Sequence, residues 1–106
     1  MKKALFALPF LVAGLIYAAS ARADENVTIK DHAFSPKALS VTAGTKVTWT
    51  NLDQDPHTVA DSGAGKQFTS AALDTNDTYS FTFLKPGTYS YFCTLHPDMT
   101  GTVTVK

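Results

Sequence analysis

The chain of 106 residues carries nine Lys and Arg against nine Asp and Glu, 44% hydrophobic residues and a single cysteine, Cys93. That length supports one modest core and no large second domain, and no basic stripe marks a nucleic-acid partner. Beyond the N-terminal segment no apolar stretch reaches the roughly 20 residues that a membrane helix needs.

Met1 to Ala23 opens with Lys2 and Lys3, continues as the apolar run Ala4 to Ala19 and closes on Ala21-Arg22-Ala23, the small-x-small pattern of a secretory cleavage site. The reading is a secretory signal peptide over residues 1–23 and one domain over residues 24–106. Without Lys2, Lys3 and Arg22, six basic residues face nine acids, a net charge near −3 with the histidines neutral. The short Lys-Lys leader is bacterial in type, so a periplasmic protein is expected, with no membrane association after cleavage. The glycosylation triplets at Asn26 and Asn76 therefore carry no weight.

From Asp24 onward the dominant period is two, broken by turn signals every eight to twelve residues, as in a β-sandwich. Val27, Ile29 and Asp31 alternate as a first strand, Phe34-Ser35-Pro36 turns the chain, and Leu39 and Val41 make a second strand. Ala43-Gly44 leads into Lys46 to Thr50, with Val47 and Trp49 on one face, and Asn51 to Pro56 is a polar loop. His57 to Ala60 reads as a short strand, Asp61 to Gly65 as a flexible loop, and Ser70 to Asp77 as an irregular excursion with room for one helical turn. Tyr79, Phe81 and Phe83 alternate, Lys85-Pro86-Gly87 turns, and Tyr89, Tyr91 and Cys93 share a face of the next strand. Val103 and Val105 define the last. The expected fold is all-β: a small Greek-key sandwich of seven or eight strands, with Trp49, Phe81, Phe83, Tyr89 and Tyr91 in its core.

An exported chain normally pairs its cysteines, so an odd one is an inert thiol, an intermolecular bridge or a thiolate with a function. Cys93-Thr94-Leu95-His96-Pro97-Asp98-Met99 places a thiolate, an imidazole and a thioether within seven residues. With one more imidazole they make the His₂Cys set with a weak axial Met that suits copper. Two residues between each pair of donors let one turn aim all three at a common point, and Pro97 stops the loop from continuing as strand or helix. His57, after Pro56, can reach the same end of a sandwich. Taken singly, each residue has a plainer reading: Cys93 as a small buried hydrophobe, Met99 as core filler, His57 as a strand-end histidine. Their joint placement favours metal. His32 follows the first strand with no second ligand at metal spacing and is assigned to a surface turn.

On these residues the chain resembles the cupredoxin, or blue copper, family from about Val27 to Lys106. Phe34-Ser35-Pro36, Val41 to Thr45, Val47 to Asn51, Pro56 to Val59 and Gly87 to Cys93 follow that family's pattern in order. The compact Cys-x-x-His-Pro-x-Met loop looks most like the amicyanin type. The resemblance implies one copper ion per chain held by His57, Cys93 and His96 with Met99 axial, and the copper site at one end of the sandwich. It also implies that the Thr58 amide donates to the Cys93 sulfur and that Thr58 and Thr94 tie the two ligand loops together. Leu95 and Asp98 depart from that type, so its partner, methylamine dehydrogenase, is not carried over.

Two functions follow from this reading. The first is a soluble one-electron carrier between periplasmic redox partners, a monomer expected to dock weakly at the edge of His96, which the resemblance implies is the electron port, with Leu95 and Pro97 beside it and Asp53, Asp55, Asp61 and Asp98 as an acidic rim. The alternative is copper buffering or delivery. An enzyme is not expected, because substrate-binding copper centres need more histidines than His32, His57 and His96, and a Cys-His nucleophile pair would be spent as ligands. An immunoglobulin domain needs a cysteine before Trp49, and none exists.

Overall fold

The computed structural model describes residues 23–106; the signal peptide read over residues 1–23 lies, apart from Ala23, outside the described residues. Eight strands follow in chain order: β1 (Glu25–Lys30), β2 (Ala33–Ser35), β3 (Ala38–Val41), β4 (Thr45–Asn51), β5 (Ala60–Asp61), β6 (Thr78–Phe83), β7 (Gly87–Phe92) and β8 (Thr100–Val105). They form two four-stranded sheets, in the orders β2-β1-β4-β6 and β3-β8-β7-β5. The expected sandwich is therefore observed.

Alternation sets which side chains go inside, because successive side chains of a strand point to opposite faces. Val27 and Ile29 of β1, Val47 and Trp49 of β4, Tyr91 of β7 and Val103 and Val105 of β8 are buried between the sheets. Trp49 sits at the centre, edge-on to Tyr91 at 5.3 Å between ring centroids and stacked on Phe68 at 6.1 Å. Phe83 belongs to the same buried cluster, with Phe81 and Tyr89 packed on its margin. Losing such an aromatic side chain typically costs about 3 to 5 kcal/mol.

Both sheets contain one parallel pairing, β1 with β4 and β3 with β8. The first matters for function. Because β1 runs alongside β4 from Glu25↔Val47 to Ile29↔Asn51, the turn after β1 and the loop after β4 emerge at the same end. That end also receives the loop between β7 and β8, whose strands pair antiparallel up to Phe92↔Thr100.

Local expectations change as well: Phe34 and Ser35, expected in a turn, belong to β2, and Cys93 lies one residue past β7. The short strand after His57 is only Ala60–Asp61, and His57 is held instead by an isolated bridge to Leu73. The excursion 70–77 contains no helical turn. Its backbone groups are taken by tertiary partners: the His57 amide donates to Leu73 O at 3.1 Å, the Leu73 amide donates to His57 O at 2.7 Å, and the Ser70 amide donates to Val59 O at 2.8 Å. A helix needs those same donors and acceptors internally, so the cross-loop pairing excludes it.

Candidate metal centre

The loop from Cys93 to Met99 is closed by its own backbone. The His96 amide donates to Cys93 O at 3.3 Å, the Met99 amide to His96 O at 2.9 Å, and the Cys93 amide to Met99 O at 3.0 Å. These two successive turns bury Cys93 and Met99 and leave His96 half-buried, while Leu95, Pro97 and Asp98 face solvent. On the opposing loop, Asn51 does the ordering. Its buried amide donates to Asp55 O at 2.9 Å and Leu73 O at 2.8 Å, and its Oδ1 accepts from the Asp53 amide at 2.9 Å. His57 follows, fully buried.

These two loops bring three donors together. Cys93 Sγ lies 3.7 Å from His57 Nδ1 and 3.7 Å from His96 Nδ1. A metal about 2.3 Å from a thiolate sulfur and about 2.0 to 2.1 Å from an imidazole nitrogen, at angles between tetrahedral and trigonal, requires sulfur–nitrogen separations of about 3.6 to 3.8 Å. The spacing therefore fits a metal ion bound by all three donors, and their types, His₂Cys with a thioether nearby, suit copper. Met99 is buried at the end of the same loop.

The thiol has a polar lining. The Thr58 amide points at Cys93 Sγ from 3.3 Å and the Thr58 hydroxyl from 3.8 Å. Thr58 Oγ1 in turn accepts the Thr94 amide at 2.7 Å and lies 2.8 Å from Thr94 Oγ1. The contacts expected between the two loops are all present.

Two acidic residues take positions that the sequence does not announce. Asp53, assigned to an exposed rim, turns inward with its side chain only 11% exposed. Burial by itself raises its carboxyl, but the amides of His32 and Asp31 and the His57 ring outweigh that and hold it at about 2. Asp61, assigned to the same rim, is buried, and its carboxylate accepts the amides of Gly63 and Gln67, each at 2.8 Å. Exposed acids at this end include Asp31, Asp55 and Asp98.

His32 does lie in an exposed turn, but it has ligand neighbours after all. Its ring stands edge-on to His57 at 5.0 Å and to His96 at 4.8 Å between centroids, and ring nitrogens of the three histidines lie within 4.8 Å of one another. Its Nε2 is 3.0 Å from Asp55 Oδ2. The parallel β1–β4 pairing puts it there. Spacing along the chain carries no sign of that neighbourhood, because 25 residues separate His32 from His57.

A family model described as a cupredoxin-like domain matches residues 4–105. Amicyanin-alpha of Methylorubrum extorquens is 41% identical over 83 residues, which cover 76% of this chain and 70% of that protein. Plastocyanin of Prochlorothrix hollandica is 37% identical over 82 residues, 69% of this chain and 63% of that protein. Among solved structures, a purple cupredoxin from Nitrosopumilus maritimus superposes with a TM-score of 0.73 at 33% identity, covering 78% of this chain and 100% of that one. Oxidised amicyanin with a proline-to-alanine substitution gives a TM-score of 0.74 at 34% identity, over 78% and 82% of the two chains.

Proposed function

The chain belongs to the cupredoxin family, whose cofactor is copper at one ion per chain, and on that premise we propose that it is an exported one-electron carrier whose ion is held by His57, Cys93, His96 and Met99. The observation that carries the ligand set is the 3.7 Å separation of Cys93 Sγ from the Nδ1 atoms of both histidines. Copper bound there supplies reversible one-electron chemistry between Cu(I) and Cu(II).

The protein's part is to hold the donors still. Loop 93–99 is tied by three backbone hydrogen bonds, His57 is clamped by its bridge to Leu73, and Thr58 joins the two loops. A cage that cannot relax spends little reorganisation when charge changes, which keeps exchange fast. His96 is the one imidazole of the set that reaches the surface. Leu95, at 50% exposure, and Leu52, at 40%, flank that end, with Asp31, Asp55 and Asp98 around them. This is a surface for brief apolar contact with a redox partner, guided by charge that salt screens over roughly 8 Å at physiological ionic strength.

Export to the periplasm, with a mature chain beginning at Asp24, completes the reading. Its support is the Ala21-Arg22-Ala23 pattern. The intact mass of the exported protein should match a start at Asp24, and retention of Ser20 or Ala21 would refute it. A role in buffering or delivering copper draws support from His32, a third imidazole at the surface beside the site. The decisive experiment adds Cu(II) and records visible absorption, the electron self-exchange rate and the copper off-rate. An intense thiolate-to-copper band that is lost in Cys93→Ser, fast self-exchange and slow release support the carrier. Fast release with slow self-exchange supports delivery.

A further inference from the structure

One carboxylate at this end is occupied by something other than solvent. Asp53 Oδ2 lies 2.9 Å from His57 Nε2 and accepts the His32 amide at 2.9 Å, while Oδ1 accepts the Asp31 amide at 2.7 Å. Asp31 and His32 both adopt left-handed backbone angles, with φ of 52° and 57°. In this left-handed turn two consecutive amides point the same way, and the Asp53 carboxylate accepts both. The backbone of Asp53 is fixed as well, since its amide donates to Asn51 Oδ1 at 2.9 Å and its carbonyl accepts the Thr75 hydroxyl at 2.6 Å. These hydrogen bonds hold the carboxylate against His57.

Asp53 can only accept when ionised, so the proton of the His57 ring must sit on Nε2. That leaves the Nδ1 lone pair directed toward Cys93 Sγ, 3.7 Å away. A carboxylate on the far nitrogen of a ligand imidazole fixes its tautomer and orientation and makes it a stronger donor. Negative charge delivered through that imidazole stabilises the more positive Cu(II) state over Cu(I). We infer that Asp53 is a positioning residue that, acting through His57, poises the copper at a lower reduction potential than the four ligands alone would give. The inference rests on the ligand reading above and adds to it what sets the potential.

The proposal separates from a merely structural role by the choice of substitution. Asp53→Asn keeps an oxygen able to accept from His57 Nε2 and removes the charge. Asp53→Glu keeps the charge. Asp55→Asn removes an exposed neighbouring charge that touches His32 and not His57. Voltammetry of the copper-loaded mature chain should show Asp53→Asn shifting the Cu(I)/Cu(II) balance toward Cu(I) by about tenfold, about 59 mV upward for a one-electron couple. Asp53→Glu should recover at least half of that shift, and Asp55→Asn should move the balance by less than about twofold, because water screens an exposed charge more strongly.

A coloured Asp53→Asn protein with an unchanged potential overturns the inference alone. So does an Asp55→Asn shift as large as that of Asp53→Asn, or an Asp53→Glu potential no different from that of Asp53→Asn. A wild-type chain without the intense visible band overturns the copper reading and the inference with it. Should Asp53→Asn not fold, the wild-type Cu(I) protein still decides. Its NMR spectrum should contain a slowly exchanging His57 Nε2–H signal, and a His57 ring proton on Nδ1 instead would sink the idea.

Discussion

The Thr58 amide lies 3.3 Å from Cys93 Sγ, although 35 residues separate them in the chain. The same residue's hydroxyl accepts the Thr94 amide at 2.7 Å, so one threonine both lines the Cys93 sulfur and latches the loop that carries it.

Thr58→Val separates the two roles. The backbone donor to sulfur survives, while the Thr94 amide loses its acceptor in a partly buried position. Leaving such a donor unsatisfied costs about 1 to 3 kcal/mol. Denaturant unfolding of the copper-loaded variant should register that loss, and its visible band should persist. An unaltered stability would mean that water replaces the hydroxyl without cost.

Met99→Gln tests the axial role. The loop is closed through the Met99 backbone amide and carbonyl, which the substitution leaves in place, so copper should still bind. A harder amide oxygen in place of a thioether favours Cu(II), and the reduction potential should fall. Complete loss of copper would make Met99 a structural residue.

Gly101 stands opposite Tyr91 in the β7–β8 register, and a Cβ there would run into the Tyr91 ring at Cζ, Cε2 and the hydroxyl. The ring is 1% exposed and packed edge-on to Phe34 at 4.7 Å, so it cannot swing aside. Gly101→Ala should destabilise the fold by about 1 to 3 kcal/mol or more, the usual scale of overpacking. Because Tyr91 is two residues from Cys93, a shifted visible band should accompany the lowered melting temperature.

Tyr91 also sets a limit at high pH. Burial pushes its hydroxyl up to about 12, the Trp49 indole pulling the other way; among the described residues that indole nitrogen has no acceptor in hydrogen-bond geometry. A group whose folded pKa lies above its unfolded value near 10 favours folding fully below pH 10 and loses that contribution as pH rises toward 12. Melting temperature should therefore drop between pH 10 and 12, and the drop should be shallower in Tyr91→Phe. An equal slope in both proteins would assign the loss to other groups.

The legible part of this protein is the part built from neighbours in sequence. Alternation along Val27-Ile29, Val47-Trp49 and Tyr89-Tyr91 announces strands because the side-chain period of an extended chain is two whatever it packs against. Cys93, His96 and Met99 stand out as candidate donors because seven residues and a proline suffice to bring all three into one loop, and His57 is the fourth residue of the proposed set. Charge is different. Asp53, Asp55 and Asp61 look alike in a string of letters, yet Asp55 is exposed, Asp61 caps its own loop, and Asp53 faces the far nitrogen of His57. What separates them is which unpaired amides another strand brings within reach. The parallel pairing of β1 with β4 carries the left-handed turn at Asp31 and His32 to the loop after β4, and no local period encodes a parallel partner 22 residues away. The candidate donors are legible in the chain, whereas the carboxylate beside His57 is placed by tertiary pairing, because a charge withdrawn from water goes only where the fold supplies its hydrogen bonds.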